Sequence, residues 1–110
     1  MISYDDFLKV DIRTGKIVQV DDFERAKNPT YKVKVDFGDE IGIKCSSVQA
    51  KREYTKDALL GMQVVGVVNF PPKNIAGFMS EVLILGVPAE DGLLSILSPT
   101  RPAKLGGHAY

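Results

Sequence analysis

Apolar and polar residues alternate without interruption from residue 31 to residue 37. The apolar set is Tyr31, Val33, Val35 and Phe37, and the polar set is Lys32, Lys34 and Asp36. A period of two residues is typical of a strand with one face in the core and the other in solvent. We therefore predict a strand here, with its odd-numbered side chains buried.

Further apolar segments predict strands, although none alternates so regularly. They cover residues 12–20, 41–45, 62–69, 81–87 and 93–97. Gly15 lies inside the first segment, and a glycine within a strand favours a bulge or a sharp bend. Gly38-Asp39-Glu40 predicts a turn, and the charged stretch 21–30 with its Asn28-Pro29 pair predicts a loop.

Two segments carry helix signals. Ser3 with Asp6 three residues later forms a capping-box-like start for a short helix over residues 3–9. Ser46-Ser47 offers a cap for a second helix over residues 48–60, which Gly61 would end.

The order of these elements predicts the fold class. Three strands, a helix and two strands, with additions at both ends, suit an all-β protein. The prediction is a five-stranded OB-fold Greek-key barrel with an inserted helix, an N-terminal helix and an extra C-terminal strand. A β-sandwich would need more strands, and an alternating βαβ fold would need more helices. A length of 110 residues predicts one domain over residues 1–110.

Charge and composition narrow the classes of function. The 14 basic and 14 acidic residues cancel, which argues against non-specific coating of nucleic acid. The terminal segment carries Arg101 and Lys104 without an acid, so a local basic patch is compatible with the sequence. No apolar run is long enough to span a membrane, so we expect no membrane insertion.

Cysteine and histidine usage argues against catalysis. Cys45 is the single cysteine, which fits a reducing cytoplasm, and no signal-peptide core precedes it. A catalytic thiol would need a histidine, and His108 near the terminus is the only one. A metal site would need a ligand set that this chain does not offer. We expect a binding protein, not an enzyme, without a metal or cofactor.

The segment from Val67 to Gly86 is the most informative part of the chain for function. Two apolar runs flank a loop in which polar residues stand beside Phe70, Ile75, Phe78 and Met79. A purely structural hairpin would use a short turn, whereas loops on a rigid scaffold collect binding residues. The alternative is an ordinary crossover stiffened by Pro71-Pro72, with its apolar residues capping the core.

Three segments together carry a resemblance to a known family: Asp11-Ile12-Arg13-Thr14-Gly15-Lys16-Ile17, Asn69-Phe70-Pro71-Pro72-Lys73 and Gly77-Phe78-Met79-Ser80-Glu81. The chain resembles the tRNA-binding-domain family of OB-fold modules, and within it the CsaA branch of secretion-related chaperones. Tyr31 to Gly38 and Gly42 to Ser47 also resemble that branch. Val82 stands where many tRNA-binding members have glycine, and Asn28-Pro29-Thr30-Tyr31 departs from their His-Pro loop. Both departures fit the CsaA branch.

Two sets of candidate binding residues follow. The nucleic-acid set is Arg13, Lys44, Ser46, Asn69, Lys73 and Ser80. Its cations would contact phosphates, and its polar side chains would hydrogen-bond base edges or sugars. The alternative for the cations is solvated surface charge, and for Asn69 and Ser80 it is tying the backbone of their own loop.

The polypeptide-binding set is Phe70, Ile75, Phe78 and Met79. These side chains would form an apolar pocket for an extended chain or stack on bases. The alternative is packing in the core or at a subunit interface.

The resemblance implies a chaperone-like homodimer that binds unfolded or precursor polypeptides for export. The apolar stripes 82–86 and 93–97 exceed what one small barrel needs, and an isologous interface would bury them. Structure-directed tRNA binding is one alternative function. A non-catalytic assembly module docking on a synthetase or a translocase is another, and tRNA and an export motor stay open as partners.

Overall fold

The computed structural model describes residues 1–110. Three short helices and nine strands follow one another along the chain: α1 (Tyr4–Leu8), β1 (Ile12–Asp22), β2 (Tyr31–Asp36), α2 (Gly38–Ile41), β3 (Ile43–Val48), α3 (Lys56–Leu59), β4 (Gln63–Val67), β5 (Lys73–Ile75), β6 (Phe78–Ser80), β7 (Leu83–Ile84), β8 (Gly86–Pro88) and β9 (Leu94–Ile96). None of the three helices has the length and apolar character that a membrane crossing requires.

Five strands form one antiparallel sheet in the order β3-β2-β1-β4-β7. The long β1 serves two partners, because residues 12–16 pair with β4 and residues 16–22 pair with β2. The sheet curls until Glu81, just before β7, donates its amide hydrogen to the Cys45 carbonyl of β3 at 2.8 Å. The result is a nearly closed five-stranded barrel, which confirms the predicted OB-fold class.

The alternating strand is confirmed in position and orientation. Its odd-numbered residues are all buried, with exposures of 5% for Tyr31, 2% for Val33 and 0% for Val35 and Phe37. They form a single core with Ile17 of β1, Leu59 of α3 and Val64 of β4. Burial of these apolar side chains in one core stabilises the barrel.

Gly15 has a different role from the predicted bulge. The irregularity in β1 lies at Val18, where the register with β2 shifts between Ile17 and Gln19. At Gly15 a Cβ atom would lie 2.5 Å from Val35 Cγ1 and 2.8 Å from Phe37 Cε1. Glycine is required here because the core side chains of β2 pack directly against its backbone.

The N-terminal helix is confirmed together with its cap. Ser3 Oγ accepts a hydrogen bond from the Asp6 amide at 3.2 Å, and the Asp6 carboxylate accepts one from the Ser3 amide at 3.0 Å. This reciprocal pair satisfies free donors at the start of α1. No residue of α1 is buried against the barrel.

The predicted helix over residues 48–60 is wrong for residues 48–55, and only residues 56–59 are helical. Ser46 and Ser47 lie inside β3, which pairs with β2 as far as Tyr31 opposite Val48. The strand pairing overrides the local capping signal because it buries Val48 in the core. The helix shrinks to α3, whose first turn is capped by Thr55 Oγ1 accepting from the Ala58 amide at 3.1 Å.

Other boundaries also move. The turn at residues 38–40 is the short helix α2, so the third strand begins at Ile43 and not at residue 41. The predicted strand 81–87 is divided into β7, which pairs with β4, and β8, which pairs with β9. The predicted C-terminal strand is present as β9, and the tail beyond it returns to β1 through an Arg13–His108 bridge.

Candidate functional site

The loop between β4 and β7 contains a small hairpin of its own. Strands β5 and β6 pair with Ile75 opposite Phe78, so Ala76 and Gly77 form a two-residue turn. Their φ angles are 49° and 86°, as a type I′ hairpin turn requires. The long loop therefore contains a tight turn that the sequence analysis did not predict.

A cleft of about 710 Å³ lies beside this hairpin. Its apolar lining includes Phe70, Pro71, Pro72, Ile75 and Leu83, and Lys73, Asn74, Ser80 and Glu81 supply polar groups. Phe70 is 53% exposed and Leu83 is 49% exposed, so both keep apolar surface open to solvent. The structure thus brings Phe70, Lys73, Ile75 and Ser80 of the predicted sets to one site.

Glu81 lines the cleft and is held in position by contacts with β3. Its Oε1 accepts a hydrogen bond from the Cys45 amide at 2.9 Å, and its Oε2 lies 3.9 Å from Lys44 Nζ. Lys44 therefore lies near the cleft, but its positive charge is partly neutralised by the Glu81 carboxylate. Lys73 is exposed and has no carboxylate within ion-pair distance, so it is the free cation of the cleft.

Arg13 lies away from the cleft. It is 5% exposed, with Nε 2.8 Å from Asp11 Oδ1 and Nη1 3.1 Å from Glu40 Oε2. The hydrogen bonds to Asp11 and then to Glu40 raise the pKa of Arg13 above its usual value. Because the same guanidinium also donates to the Gly106 carbonyl, it joins β1, α2 and the C-terminal tail.

Ser46 and Asn69 also hold the fold in place. Ser46 is 1% exposed, and its hydroxyl donates to the Val82 carbonyl at 2.9 Å across the barrel seam. The Asn69 side chain accepts from the Asp11 amide at 3.0 Å and donates to the Lys9 carbonyl at 2.8 Å. The alternative role considered for Asn69 was tying the backbone of its own loop, whereas the structure shows it tying the distant segment between α1 and β1.

Phe78 faces a second hollow, of about 360 Å³, on the other side of the hairpin. Its ring packs edge-on against Phe23 with centroids 5.4 Å apart, and Lys32 Nζ lies 5.7 Å from the Phe23 ring and 5.8 Å from the Phe78 ring. Arg25 lines the same hollow. Met79 is 48% exposed on the hairpin and lines neither hollow.

Sequence reasoning missed Phe23, Arg25 and Lys32 as candidate site residues. Neither Lys32 nor Arg25 has a carboxylate within ion-pair distance. The only sequence signal for this site is the charged loop after β1, and its composition does not indicate which distant segment it contacts. The aromatic pair joins residues that lie far apart in the chain, so no local pattern indicates it.

Asp22 lies at the edge of that second hollow and is already neutralised. Lys51 Nζ and Lys56 Nζ each lie 2.9 Å from one of its carboxylate oxygens. These hydrogen bonds, Lys51 first, lower the pKa of Asp22 below its ordinary value. The charged residues that line the hollow without an ion-pair partner are Arg25, Lys32 and Glu24, so one positive charge is left in excess.

The arrangement is chemically suited to binding. The two hollows combine exposed aromatic or aliphatic surface with one or two cations each. No three His, Cys, Asp or Glu side chains gather where they could hold a metal ion. Function without a metal, cofactor or catalytic step stays a prediction.

Comparison of the sequence and the fold with known proteins identifies the family of this chain. Residues 12–108 match the family model described as a putative tRNA binding domain. A solved CsaA chaperone protein from Picrophilus torridus is 48% identical, with a TM-score of 0.94 and full coverage of both chains. Chaperone CsaA from Bacillus anthracis is 41% identical, with a TM-score of 0.92 over 100% of this chain and 99% of that one.

Among curated relatives, the methionine–tRNA ligase of Thermococcus kodakarensis is 39% identical over 106 residues. The match covers 96% of this chain but 14% of the ligase, so the chain corresponds to one module of that protein. The chain belongs to the tRNA-binding-domain family and is of its CsaA type.

Proposed function

We propose that the protein is a CsaA-type chaperone that binds unfolded or precursor polypeptides destined for export, without catalysing a reaction. The cleft beside the β5–β6 hairpin is the observation that carries the proposal. It presents half-exposed Phe70 and Leu83 next to the free cation of Lys73. The two similar chaperone structures support the same function.

The cleft suits an unfolded chain because its contacts do not demand a particular sequence. Burial of one large apolar side chain contributes about 1.5–3 kcal/mol, whatever that side chain is. Pro71 and Pro72 keep the cleft wall stiff, so little conformational entropy is lost on binding. Lys73 at the rim would attract chains with acidic residues.

We further propose that the protein acts as a homodimer. Helix α1 buries none of its residues, and Ile2, Tyr4 and Leu8 remain 76%, 68% and 59% exposed. Tyr4 and Leu8 are four residues apart and therefore lie on one side of the helix, and exposed apolar groups that lie together mark an interaction surface. A two-fold contact would cover them on both subunits and bring two clefts into one particle.

We place this activity in the cytoplasm, within a single domain over residues 1–110. The lone Cys45 fits a reducing compartment. The five-stranded sheet and its one core cluster support a single unit.

The test is parallel titration of one protein sample with reduced, carboxymethylated lactalbumin and with labelled tRNA at several salt concentrations. A chaperone should bind the unfolded protein with an affinity that changes little with salt, because apolar burial dominates. It should not bind native lactalbumin, which is the control. Absence of binding to the unfolded form would refute the proposal.

The second candidate is structure-directed tRNA binding, and the hollow around Phe78 favours it. Phe78 keeps part of its ring open to solvent beside the buried ring of Phe23, and Lys32 and Arg25 are cations without carboxylate partners. Aromatic surface with neighbouring cations is how many domains hold single-stranded bases and phosphates. In the same titration, tRNA affinity would fall steeply with salt through counterion release.

A further inference from the structure

A further groove, of about 500 Å³, lies where the C-terminal tail crosses the junction of β1 and β4. Lys16 of β1, residues 61–63 at the start of β4 and residues 98–102 of the tail line this basic groove. It shares no lining residue with the cleft beside the hairpin or with the Phe78 hollow. Arg101, whose tail the sequence marks as locally basic, therefore has no role in either of those sites.

The basic groove is lined by two cations and by no acid. Lys16 and Arg101 are both exposed, and neither has a carboxylate within ion-pair distance. Asp36 lies opposite Lys16 on β2, but its carboxylate accepts a hydrogen bond from the Gly38 amide at 2.9 Å and forms no ion pair with the lysine. Carboxylates line both the cleft and the Phe78 hollow. The uncompensated charge of the basic groove therefore favours an anionic ligand.

The tail presents Arg101 on a short loop, residues 99–102, that one residue of β4 holds at both ends. Before the loop, the Ser98 hydroxyl donates to the Gln63 main-chain carbonyl at 2.7 Å. After the loop, the Gln63 side chain donates to the Ala103 carbonyl at 2.7 Å and accepts from the Ala103 amide at 2.8 Å. A proline at each end of the loop fixes its φ angle. The loop therefore loses little conformational entropy when a ligand binds.

Thr100 and Arg101 bring further hydrogen-bond donors to the groove. Neither of their main-chain amides donates to another group of the protein, and both residues are exposed. Water satisfies such donors in the free protein. A carboxylate can replace this water, because it accepts hydrogen bonds at two oxygens and pairs with a guanidinium in a bidentate contact.

The lining of the basic groove discriminates between two classes of anionic macromolecule. Sites for single-stranded nucleic acid combine cations with aromatic rings on which the bases stack. No aromatic residue lines this groove, whose apolar groups are Met62 and the two prolines of the loop. Carboxylates on a polypeptide need no stacking surface, so the lining favours an acidic polypeptide over RNA.

We infer that the basic groove binds an acidic segment of a polypeptide, with Lys16 and Arg101 paired to its carboxylates. Arg101 would hold one carboxylate in a bidentate contact, and Lys16 on the β1 side would pair with another. This site goes beyond the proposed client cleft, because it selects acidic residues whereas the cleft selects apolar ones. Its binding does not depend on the cleft.

The first experiment is an NMR titration of isotope-labelled protein with a blocked peptide in which glutamate alternates with serine. Amide chemical shifts report weak binding, which is what a few exposed ion pairs supply. The acidic peptide should shift the amides of Lys16, Gly61 and Arg101 and leave those of Ile75 and Phe78 unmoved. A control peptide with glutamine in place of glutamate should shift none of them. The affinity should fall as the salt concentration rises, because exposed ion pairs are screened.

The second experiment removes the two cations. Lys16→Gln and Arg101→Gln should each weaken binding of the acidic peptide about twofold to fivefold, as loss of one exposed ion pair does. Both variants should keep the parent's circular dichroism, because neither side chain forms an ion pair in the fold. Lys27→Gln is the matched control, since Lys27 is also exposed and unpaired but does not line the groove. It should leave the affinity as it is in the parent.

The contrary results are distinct from failure of the chaperone proposal, which the lactalbumin titration decides. An acidic peptide that leaves the groove amides unmoved, or whose affinity neither substitution changes, overturns the inference. Sodium phosphate that shifts the same amides with the same affinity shows a site for small anions and overturns the polypeptide assignment. Oligouridylate that shifts them when the acidic peptide does not would assign the groove to RNA and overturn it as well.

Discussion

The sequence predicts one site for Phe70 and Phe78, whereas the structure places the two side chains beside different hollows. Phe70 is half exposed in the larger cleft, whereas Phe78 packs against Phe23 and under Lys32. A ring that already contacts its own chain has a structural role as well as any binding role. The two phenylalanines should therefore respond differently to the same substitution.

We expect Phe70→Ala to weaken binding of unfolded polypeptide severalfold and to leave stability almost unchanged, because the exposed ring contributes little to folding. Phe78→Ala should lower the free energy of unfolding by about 1 kcal/mol or more through loss of the aromatic pair. Urea unfolding and lactalbumin titration measure the two effects. Equal loss of stability in both variants would contradict the division into two hollows.

A second residue-scale prediction concerns the Asp22 carboxylate between Lys51 and Lys56. Its pKa is lower in the folded state than in the unfolded chain, so its contribution to stability is present above about pH 4. That contribution is lost as the pH falls through the lowered pKa. We expect Asp22→Asn to lose stability at pH 7 and to show a shallower decline in Tm below pH 4 than the parent.

Glu90→Gln is the control for this experiment. Glu90 forms no ion pair, so Glu90→Gln removes a carboxylate without breaking a contact to a lysine and should not lower the Tm at pH 7. High salt should reduce the effect of Asp22→Asn, because exposed ion pairs are screened. Identical profiles for Asp22→Asn and the parent would show that the lysines do not stabilise the fold through this carboxylate.

At the scale of elements, the β5–β6 hairpin carries a local strain. Ala76 is the only residue other than glycine with a positive φ, at 49°, and it precedes Gly77 in the turn. A side chain makes this conformation costly, whereas glycine adopts it freely. The hairpin keeps its shape because its strands pair and because the Gly77 amide donates a hydrogen bond to Asn74 Oδ1 at 2.8 Å.

Ala76→Gly should therefore stabilise the protein by about 0.5–1 kcal/mol in urea unfolding. The matched control is Ala58→Gly, the same substitution at an exposed position in α3, which should destabilise by about 0.5–1 kcal/mol. Slower amide hydrogen exchange at Ile75 and Phe78 would locate the gain in the hairpin. Destabilisation by both changes would show that the turn is not strained.

At the scale of the whole molecule, the proposed dimer and the barrel core are independent. Helix α1 adds no buried residue to the core. The charged variant Tyr4→Asp with Leu8→Asp should therefore remain folded and become a monomer. Light scattering at micromolar concentration measures the mass, and circular dichroism checks the fold.

Leu60→Asp is the control for the dimer, because Leu60 is 54% exposed after α3 and lies outside the proposed contact. It should leave the mass unchanged. A parent protein that is monomeric throughout the range would contradict the dimer. A double variant that stays dimeric would move the interface away from α1.

The sequence by itself determined the features whose causes are local. The alternation from Tyr31 to Phe37 places one face in the core, and the Ser3–Asp6 cap begins α1. The order of strands indicated the barrel, because short connections restrict the topologies available. The motifs around Arg13, Phe70 and Ser80 identified the family, although they did not show what each side chain contacts.

Only the tertiary structure decided the rest, because the competing contacts join segments that are distant in the chain. Ser46 and Ser47 lie in a strand, and do not cap a helix, because β3 pairs with β2. The Asn69 side chain accepts a hydrogen bond from the Asp11 amide, and the Arg13 guanidinium forms ion pairs with Asp11 and Glu40. The cleft and the Phe78 hollow exist because folding brings remote segments together, and a local sequence pattern does not indicate contacts between distant segments.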